Sequence, residues 1–297
     1  MSQVITRLMG GLGNQMFQYA AGKALATRLA VPLLVDRSFL DDPASGTTTR
    51  RELELDAFRL PLEFAGPAEV NSLRRAHDQR IHRLANRLAP AIIKDRVFRE
   101  RGTGFDPAFT KLRGPVFLEG YWQNEQYFNS IADELRTDLF VPRSAPSARN
   151  AELLTSIQGA TSASLHVRRG DYISDPNANS FHGVCSVDYY MAGAKELAAE
   201  KGVDHFFLFS DDPDWVKANI KLPYPTTHVA HNTGRDNHWD LFLMKHCAHH
   251  IIANSSFSWW GAWLNAFPGK VVIAPKRWFQ GSDAPASDIL PATWLAR

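Results

Sequence analysis

This sequence of 297 residues has few cysteines, no long apolar run and little net charge. Two cysteines, Cys185 and Cys247, are too few for a disulfide framework, and neither belongs to a Cys-x-x-Cys pair of the kind that binds zinc or carries redox chemistry. No stretch approaches the roughly 18 uninterrupted apolar residues of a membrane-spanning helix, and the first residues lack the charged start and apolar run of a signal peptide. We therefore expect a protein of the reducing cytoplasm.

The charge balance argues against a general affinity for polyanions. Thirty-three Lys and Arg residues against 31 Asp and Glu residues leave a formal charge of only +2. The exception is the basic segment, residues 74–101, where nine basic residues face three acidic ones. No aromatic interleaving or nucleic-acid motif accompanies this charge, so we expect no nucleic-acid partner. A milder hypothesis is peripheral contact of this segment with anionic lipid at the inner face of the membrane.

The order of the predicted elements indicates an α/β protein of two domains. The first half opens with a strand at residues 4–8, a helix at 15–30 and a strand at 33–35, followed by a less regular helix at 68–88, a strand at 116–121 and a helix through Phe140. The second half alternates predicted strands and helices, with strands at 163–167, 205–209, 226–229, 249–253 and 270–274 and helices at 189–200, 214–220, 237–247 and 257–266. This alternation predicts a parallel sheet covered on both faces, with ligands at the carboxyl ends of the strands. A Pro-rich linker at 141–147 separates a first domain (residues 1–145) from a second domain (residues 146–297).

A glycine loop follows the first predicted strand and superficially resembles a dinucleotide-binding fingerprint. Counted from Gly11, however, the third glycine position is Met16, which weakens the case for a nicotinamide oxidoreductase. The loop instead presents Gly13, Asn14 and Gln15 at the start of a helix, where amide and backbone N–H groups can meet hydroxyls or an anion. The alternative is a plain tight turn.

Two arginines follow the strand at 163–167. On an extended strand His166 and Arg168 share one face, and Arg169 points to the other. A guanidinium at this edge can clamp a diphosphate through its planar fork and needs no metal to do so. The alternative is a structural ion pair between one of these arginines and Asp171.

Two further strand ends carry polar side chains. Ser255 and Ser256, after Asn254, stand at a predicted helix N-terminus that could bind an anion, although ordinary capping explains one serine. Asp211 and Asp212 could hold a divalent metal, accept hydrogen bonds from guanine or cap the following helix. The His and Cys residues at 246–250 are divided between a helix end and a strand start, so a zinc site there is disfavoured.

Five segments together resemble a known family, namely residues 10–20 (GGLGNQMFQYA), 120–128 (GYWQNEQYF), 166–172 (HVRRGDY), 209–212 (FSDD) and 254–263 (NSSFSWWGAW). They are similar to motifs of the α1,2-fucosyltransferases of glycosyltransferase family 11, and they occur in the expected order over nearly the whole chain. The His-x-Arg-Arg segment is shared with α1,6- and protein O-fucosyltransferases. The glycine and tryptophan segments favour the α1,2 group.

The resemblance implies a GT-B fold, in which two Rossmann-like domains enclose a cleft, and GDP-L-fucose as the donor. Residues 1–145 would then form the acceptor-side domain, and residues 146–297 the domain that binds GDP-fucose. It further implies that Arg168 contacts the donor diphosphate, that Asp211 reads guanine, and that the phosphate site is formed by Ser255, Ser256 and Phe257. Asn14 and Gln15 would then face the cleft from the first domain. The remaining candidate substrate-binding residues are Gly13, His166, Arg169 and Asp212.

The implied reaction is an inverting, metal-independent transfer of L-fucose from GDP-β-L-fucose to the 2-hydroxyl of a terminal β-galactoside, with no cofactor. Asp171 is the candidate general base, and its alternative role is to hold an arginine in place. The competing hypotheses are another GDP-fucose-dependent transferase or a non-catalytic sugar-nucleotide-binding protein. Trp122, Trp259, Trp260 and Trp263 could stack on a sugar, but the helical spacing of the last three is more typical of core residues.

Overall fold

The computed structural model describes residues 2–42, 51–78, 96–170, 183–280 and 284–297. These residues form two compact units. The first unit comprises Met1–Asp56 and Leu60–Ala132, and the second comprises Ala57–Arg59 and Asp133–Arg297. In the described ranges, no helix combines the length and the apolar character needed to cross a membrane.

The first unit is built on a parallel sheet with the strand order β2-β1-β4-β3 over its described residues. Its strands are β1 (Val4–Arg7), β2 (Leu33–Asp36), β3 (Val97–Arg99) and β4 (Val116–Glu119). Its helices are α1 (Leu12–Leu29), α2 (Ser38–Asp41) and α3 (Pro67–Asp78). One face of the sheet packs on α1, where the Thr6 hydroxyl donates to the Gln18 carbonyl at 3.0 Å. The other face, with Ile5 and Phe117, packs on Val70 and Leu73 of α3.

The second unit contains a parallel sheet with the order β10-β9-β8-β5-β6-β7 in the described chain. Its strands are β5 (Ser162–Val167), β6 (His205–Ser210), β7 (Thr226–Val229), β8 (His249–Ile251), β9 (Val272–Ala274) and β10 (Leu295–Ala296). Its helices are α4 (Ala148–Gln158), α5 (Val187–Lys201), α6 (Pro213–Asn219), α7 (His238–His246) and α8 (Ser256–Trp263). Each of these strands pairs only in the parallel sense with its neighbours.

Strand β6 shows why a strand of this sheet appears in the sequence as an uninterrupted apolar run. Phe206 and Leu208 pack into the cluster formed with α5 and α6. Phe207 and Phe209 pack on the opposite face, against residues of α4 and α7. Because successive side chains point to opposite faces and both faces are covered by helices, every position of the strand centre is buried.

The prediction of an α/β fold with two Rossmann-like units is confirmed by these sheets. The continuous helix expected up to Phe140 is wrong: the chain there forms successive short turns at Glu125–Tyr127, Asn129–Ile131, Ala132–Glu134 and Leu135–Leu139. Asn124 begins this series, since its side-chain oxygen accepts from the Gln126 N–H at 2.8 Å. The predicted helix at 68–88 is described as far as Asp78, and its remainder lies outside the described residues.

The predicted linker at residues 141–147 leads into α4, which the sequence analysis did not predict. The Ser147 hydroxyl accepts from the Asn150 N–H at 3.3 Å and caps this helix. The structural units themselves divide at Ala132 and Asp133. The assignment of acceptor and donor binding to residues 1–145 and 146–297 stays a prediction.

Candidate active site

The second sheet has a switch point beside β5. From β5 the chain continues to β6 and β7 on one side, and it then returns to the other side to form β8, β9 and β10. Leu165 of β5 is in register with Ile251 of β8, so the carboxyl ends of these two strands lie next to each other. Open parallel sheets bind ligands outside the carboxyl ends of the strands at such a switch point.

The loop after β5 is organised by the Asp211 carboxylate at the end of β6. Its two oxygens accept from the backbone N–H groups of Arg169 and Gly170 at 2.9 and 3.0 Å. The Arg168 guanidinium lies 3.2 Å from the same carboxylate, and 23% of its side chain is exposed. A Cβ on residue 170 would lie 2.9 Å from Asp211 Oδ2, which explains a glycine at this position. Asp211 therefore fixes both the loop and the partly exposed guanidinium that the sequence predicts for a diphosphate.

Arg169 is held elsewhere, on Trp215 and Asp212. Its guanidinium carbon lies 3.7 Å from the centroid of the Trp215 ring, and its Nε lies 3.8 Å from Asp212 Oδ2. Asp212 also caps α6, because its carboxylate accepts from the Trp215 N–H at 3.2 Å. The sequence analysis assigned no role to Trp215 beyond membership of the helix that Asp212 begins.

The other side of the switch point is the start of α8. Ser255 is the N-cap residue by backbone position, but its hydroxyl makes no capping hydrogen bond within the described structure. Ser256 and Phe257 form the first turn, whose N–H groups have no acceptor within the helix. Ser258 is turned inward, and its hydroxyl donates to the Ala253 carbonyl at 3.2 Å. The helix start thus offers backbone donors and a positive dipole end to an anion.

His166 connects β5 with the start of α8. Its ring centroid lies 5.5 Å from that of Phe257, and the residue is 4% exposed. Burial and the neighbouring Arg168 charge lower the pKa of His166 to about 3, so the imidazole is neutral at physiological pH. The part of the chain that the structure describes offers no hydrogen-bond partner to its Nδ1.

The candidate residues of the first unit lie together at the carboxyl end of β1. Gln15 is fully buried, and its amide donates to the carbonyls of Gly10 (2.9 Å) and Glu52 (2.7 Å). This amide ties the glycine loop to the segment around Glu52. Asn14 is partly exposed and accepts from the Gln123 amide at 2.8 Å, whereas Gly13 is buried in the first turn of α1.

Asp171 and most of the basic segment lie outside the described residues. The described ends of the segment converge on one carboxylate, since Arg74 and Arg99 reach Glu119 at 3.2 and 2.7 Å. Arg7 contacts the same carboxylate at 2.6 Å. At its two ends the basic segment therefore contributes to an ion-pair cluster at the carboxyl edge of the first sheet.

A polar cluster that the sequence analysis missed lies near the carboxyl end of β7. Asn232 donates to Asp240 at 2.7 Å and pairs with Asn150 on α4, which also contacts His231 at 2.8 Å. Burial raises the pKa of Asp240 to about 7, well above the ordinary value of 3.8. No spacing in the sequence signals this cluster, because its members come from three separate elements.

No group of three or more His, Cys, Asp or Glu side chains among the described residues could hold a metal ion. The histidines near residue 250 serve the core instead. His250 Nδ1 lies 2.8 Å from the Ser164 hydroxyl, and its Nε2 lies 2.7 Å from the Asn265 amide nitrogen.

The tryptophans considered for sugar stacking are core residues in this structure, because Trp122, Trp259, Trp260 and Trp263 are 0–1% exposed. Those of α8 pack on one another, and Trp259 and Trp263 are stacked at a centroid distance of 5.7 Å. Their buried rings are not available to a sugar.

Comparison with known proteins finds relatives that align with most of this chain. The O-antigen biosynthesis glycosyltransferase WbnK of Escherichia coli is 32% identical over 306 residues, which cover 97% of this chain and 98% of that protein. An alpha-1,2-colitosyltransferase of Escherichia coli is 33% identical over 297 residues and 99% of both chains. Galactoside alpha-(1,2)-fucosyltransferase 1 of Homo sapiens is 25% identical over 264 residues, or 86% of this chain and 63% of that protein.

Among solved structures, Arabidopsis thaliana FUT1 in complex with GDP matches with a TM-score of 0.52 and 13% identity, over 93% of this chain and 71% of that one. This likeness concerns the fold alone, and it agrees with the predicted GT-B fold class, which is confirmed. The family model described as glycosyl transferase family 11 matches residues 71–295. With three quarters of its length matched by that model, the chain belongs to glycosyltransferase family 11.

Proposed function

We propose that this glycosyltransferase moves L-fucose from GDP-β-L-fucose to the 2-hydroxyl of a terminal β-galactoside, with inversion at the anomeric carbon. The observation that carries the proposal is the switch point of the second sheet. There the Arg168 guanidinium, held at 3.2 Å by Asp211, follows β5, and the α8 N-terminus follows the adjacent strand β8. This combination of a fork-shaped cation and helix N–H groups suits a nucleoside diphosphate.

The chemistry requires stabilisation of the leaving group. As the bond between C1 of fucose and the diphosphate oxygen breaks, the electron pair leaves with GDP, and negative charge grows on the diphosphate. Arg168 and the N–H groups of Ser256 and Phe257 would meet that charge without reorganising, and the loss of one such donor typically costs about 10²- to 10³-fold in rate. We therefore propose that the reaction proceeds without a metal cofactor.

The acceptor must also lose a proton. Its 2-hydroxyl oxygen forms the new bond to C1 on the face opposite to GDP, which converts the β-linked donor into an α-fucoside. The proton passes to a general base, for which Asp171 is our candidate because it follows Arg168 in the same loop segment of the sequence.

A second donor is favoured by one comparison. The Escherichia coli relative that is 33% identical over 99% of both chains is described as an alpha-1,2-colitosyltransferase. Colitose is L-fucose without its 3-hydroxyl group, so the same diphosphate site would serve both donors. Parallel assays with GDP-fucose and GDP-colitose at equal concentration distinguish them by the ratio of kcat/KM.

We further propose that the protein acts in surface-glycan synthesis, at the cytoplasmic face of a membrane that holds a lipid-linked acceptor. The description of one relative as an O-antigen biosynthesis glycosyltransferase and the charge of the basic segment support this proposal. Co-sedimentation with vesicles containing phosphatidylglycerol tests it. Charge reversal at Arg80, Arg83 and Arg87 should abolish binding to these vesicles, and binding that is unchanged would contradict membrane contact.

The function itself is tested by incubation with GDP-fucose and a panel of β-galactosides in EDTA, followed by NMR linkage analysis of the product. We expect an α-fucosyl group on the 2-hydroxyl of galactose. Transfer to another hydroxyl would favour a different fucosyltransferase. Binding of GDP-fucose without any transfer, with or without added Mg²⁺ or Mn²⁺, would favour a sugar-nucleotide-binding protein.

A further inference from the structure

Exposed aromatic side chains are few in the described chain. The exposed large apolar residues there are Phe64, Tyr121 and Phe267, at 43, 45 and 50% exposure. Tyr121 differs from the other two by its position, because it follows β4 at the carboxyl edge of the first parallel sheet. It also belongs to the segment 120–128, to which the proposed function assigns no role.

Tyr121 is held by a clamp from the neighbouring strand. The Glu100 carboxylate, directly after β3, accepts from the backbone N–H groups of Tyr121 and Trp122 at 2.6 and 2.8 Å. The clamp requires a glycine at residue 120, since a Cβ there would collide with the Cβ of Glu100. The backbone that carries Tyr121 is therefore fixed by Glu100.

The backbone turns sharply at the next residue. Trp122 has φ of 58°, a left-handed conformation that is unfavourable for a bulky side chain. Its ring is fully buried and stacks on Phe98 at a centroid distance of 5.8 Å and an interplanar angle of 15°. The turn thus directs Trp122 into the core while Tyr121 remains at the surface. Strained turns that the surrounding structure enforces in this way cluster at functional sites.

Polar groups lie close by in the chain. Gln123, two residues after Tyr121, donates its amide N–H to the Asn14 oxygen at 2.8 Å. This pair joins the segments that follow β1 and β4, which are neighbouring strands. The phenol of Tyr121 is protonated at neutral pH, as is usual for tyrosine, and desolvation of its hydroxyl and the Glu100 charge raise its pKa further.

We propose that Tyr121 is the platform on which the acceptor sugar stacks. The inference rests on the proposed function and specifies part of its acceptor site. A β-galactoside presents several C–H bonds on one face of its ring and hydroxyls around the edge. That apolar face suits the exposed phenol ring, and the edge hydroxyls suit the amide groups of Asn14 and Gln123. A tyrosine also loses little side-chain entropy when it binds.

Steady-state kinetics of Tyr121→Ala and Tyr121→Phe test the proposal. With the ring removed, the KM for the acceptor should rise about tenfold, equivalent to about 1.4 kcal/mol, with kcat and the KM for the donor little changed. Tyr121→Phe retains the ring and should remain within about twofold of the wild type. Phe267→Ala removes an equally exposed ring from the second unit and is the matched control.

Two results would overturn the proposal. An acceptor KM for Tyr121→Ala equal to that of Phe267→Ala would mean that the ring does not contact the acceptor. An equal rise for Tyr121→Phe and Tyr121→Ala would assign the effect to the hydroxyl rather than to stacking. Thermal unfolding of each variant excludes general misfolding as the cause.

A binding measurement separates this proposal from the proposed function. Saturation-transfer NMR of methyl β-galactoside with the protein and GDP requires no turnover. If the wild type transfers no fucose, the proposed function fails. Loss of the galactoside signal in Tyr121→Ala would still support stacking, and an undiminished signal in that variant, or no signal with the wild type, would refute it.

Discussion

Replacing Asp211 by asparagine removes the charge that holds the loop after β5 and leaves the shape of the side chain almost unchanged. The wild-type carboxylate accepts from two backbone N–H groups at 2.9 and 3.0 Å and faces the Arg168 guanidinium at 3.2 Å. An asparagine has only one acceptor oxygen, so at least one N–H group loses its partner and meets an NH₂ group instead. The ion pair with Arg168 is lost as well.

The size of the effect should differ between stability and catalysis. The loop hydrogen bonds are exposed, so water can replace the lost partner, and we expect a loss of only about 1–2 kcal/mol in the free energy of unfolding. Catalysis depends on where the Arg168 guanidinium stands, and a displacement of about 1 Å can cost 10²-fold in rate. We therefore expect kcat to fall about 100-fold in a protein that remains folded.

The assay combines fucosyl-transfer kinetics with urea unfolding of Asp211→Asn. Glu196→Gln is the matched control, because Glu196 also pairs with an arginine, Arg297, at 2.7 Å but on α5, which precedes β6. An Asp211→Asn variant with most of the wild-type kcat would refute the role given to this carboxylate. A loss confined to discrimination between GDP and other nucleoside diphosphates would instead support guanine recognition by Asp211.

Three further predictions concern other residues. Asp171→Asn should retain GDP affinity in calorimetry and lose transfer, and a variant with most of its turnover would exclude Asp171 as the general base. Asp240→Asn should remove a pH dependence from the free energy of unfolding. Because the pKa of Asp240 is raised to about 7 in the folded protein, its contribution to wild-type stability is present below pH 4 and lost as the pH rises through 7. The variant should therefore gain free energy of unfolding over the wild type at pH 8, on the order of a few kcal/mol, and little at pH 4, and equal differences at both pH values would contradict a raised pKa. Gln15→Leu removes the donor to the partly buried carbonyls of Gly10 and Glu52 and should lower the unfolding free energy by about 1–3 kcal/mol, and an unchanged urea midpoint would contradict this.

The second half of the fold could be read from the sequence because its sheet is buried on both faces. The apolar run from His205 to Phe209 predicted β6 to within one residue, and the strand at Thr226–Val229 was predicted with its observed bounds. Helix α4 was missed because its surface is largely polar, and only Asn150 and Ile157 of it are buried.

The segment after β4 could not be predicted for a different reason. Its aromatic residues, including Trp122 and Tyr127, pack around Phe109 and Phe98 in the first unit, and this tertiary packing overrides helical periodicity. The left-handed conformation of Trp122 has no signal in residue type. Sequence analysis therefore singled out Trp122 for stacking, whereas the structure exposes Tyr121.

In the candidate site, too, features set by neighbouring residues could be predicted, whereas contacts between distant segments could not. Because side chains alternate between the two faces of a strand, the sequence predicted that Arg168 and Arg169 point apart. In the structure Arg168 pairs with Asp211, and Arg169 packs on Trp215. Their partners come from another strand and helix, more than 40 residues along the chain. Sequence patterns do not show which of these distant residues lie close in space until the order of the strands in the sheet is known.

The central claim, that Arg168 stabilises the departing diphosphate, is tested most directly by the single-turnover rate of Arg168→Ala, measured with the enzyme in saturating excess over GDP-fucose and with saturating acceptor. Arg297→Ala, which removes an arginine paired with Glu196 at the surface, is the control. The account predicts a rate about 10²- to 10³-fold below the wild type for Arg168→Ala, with an unchanged unfolding midpoint, and no loss for the control. A rate for Arg168→Ala within a few-fold of the wild type would contradict it.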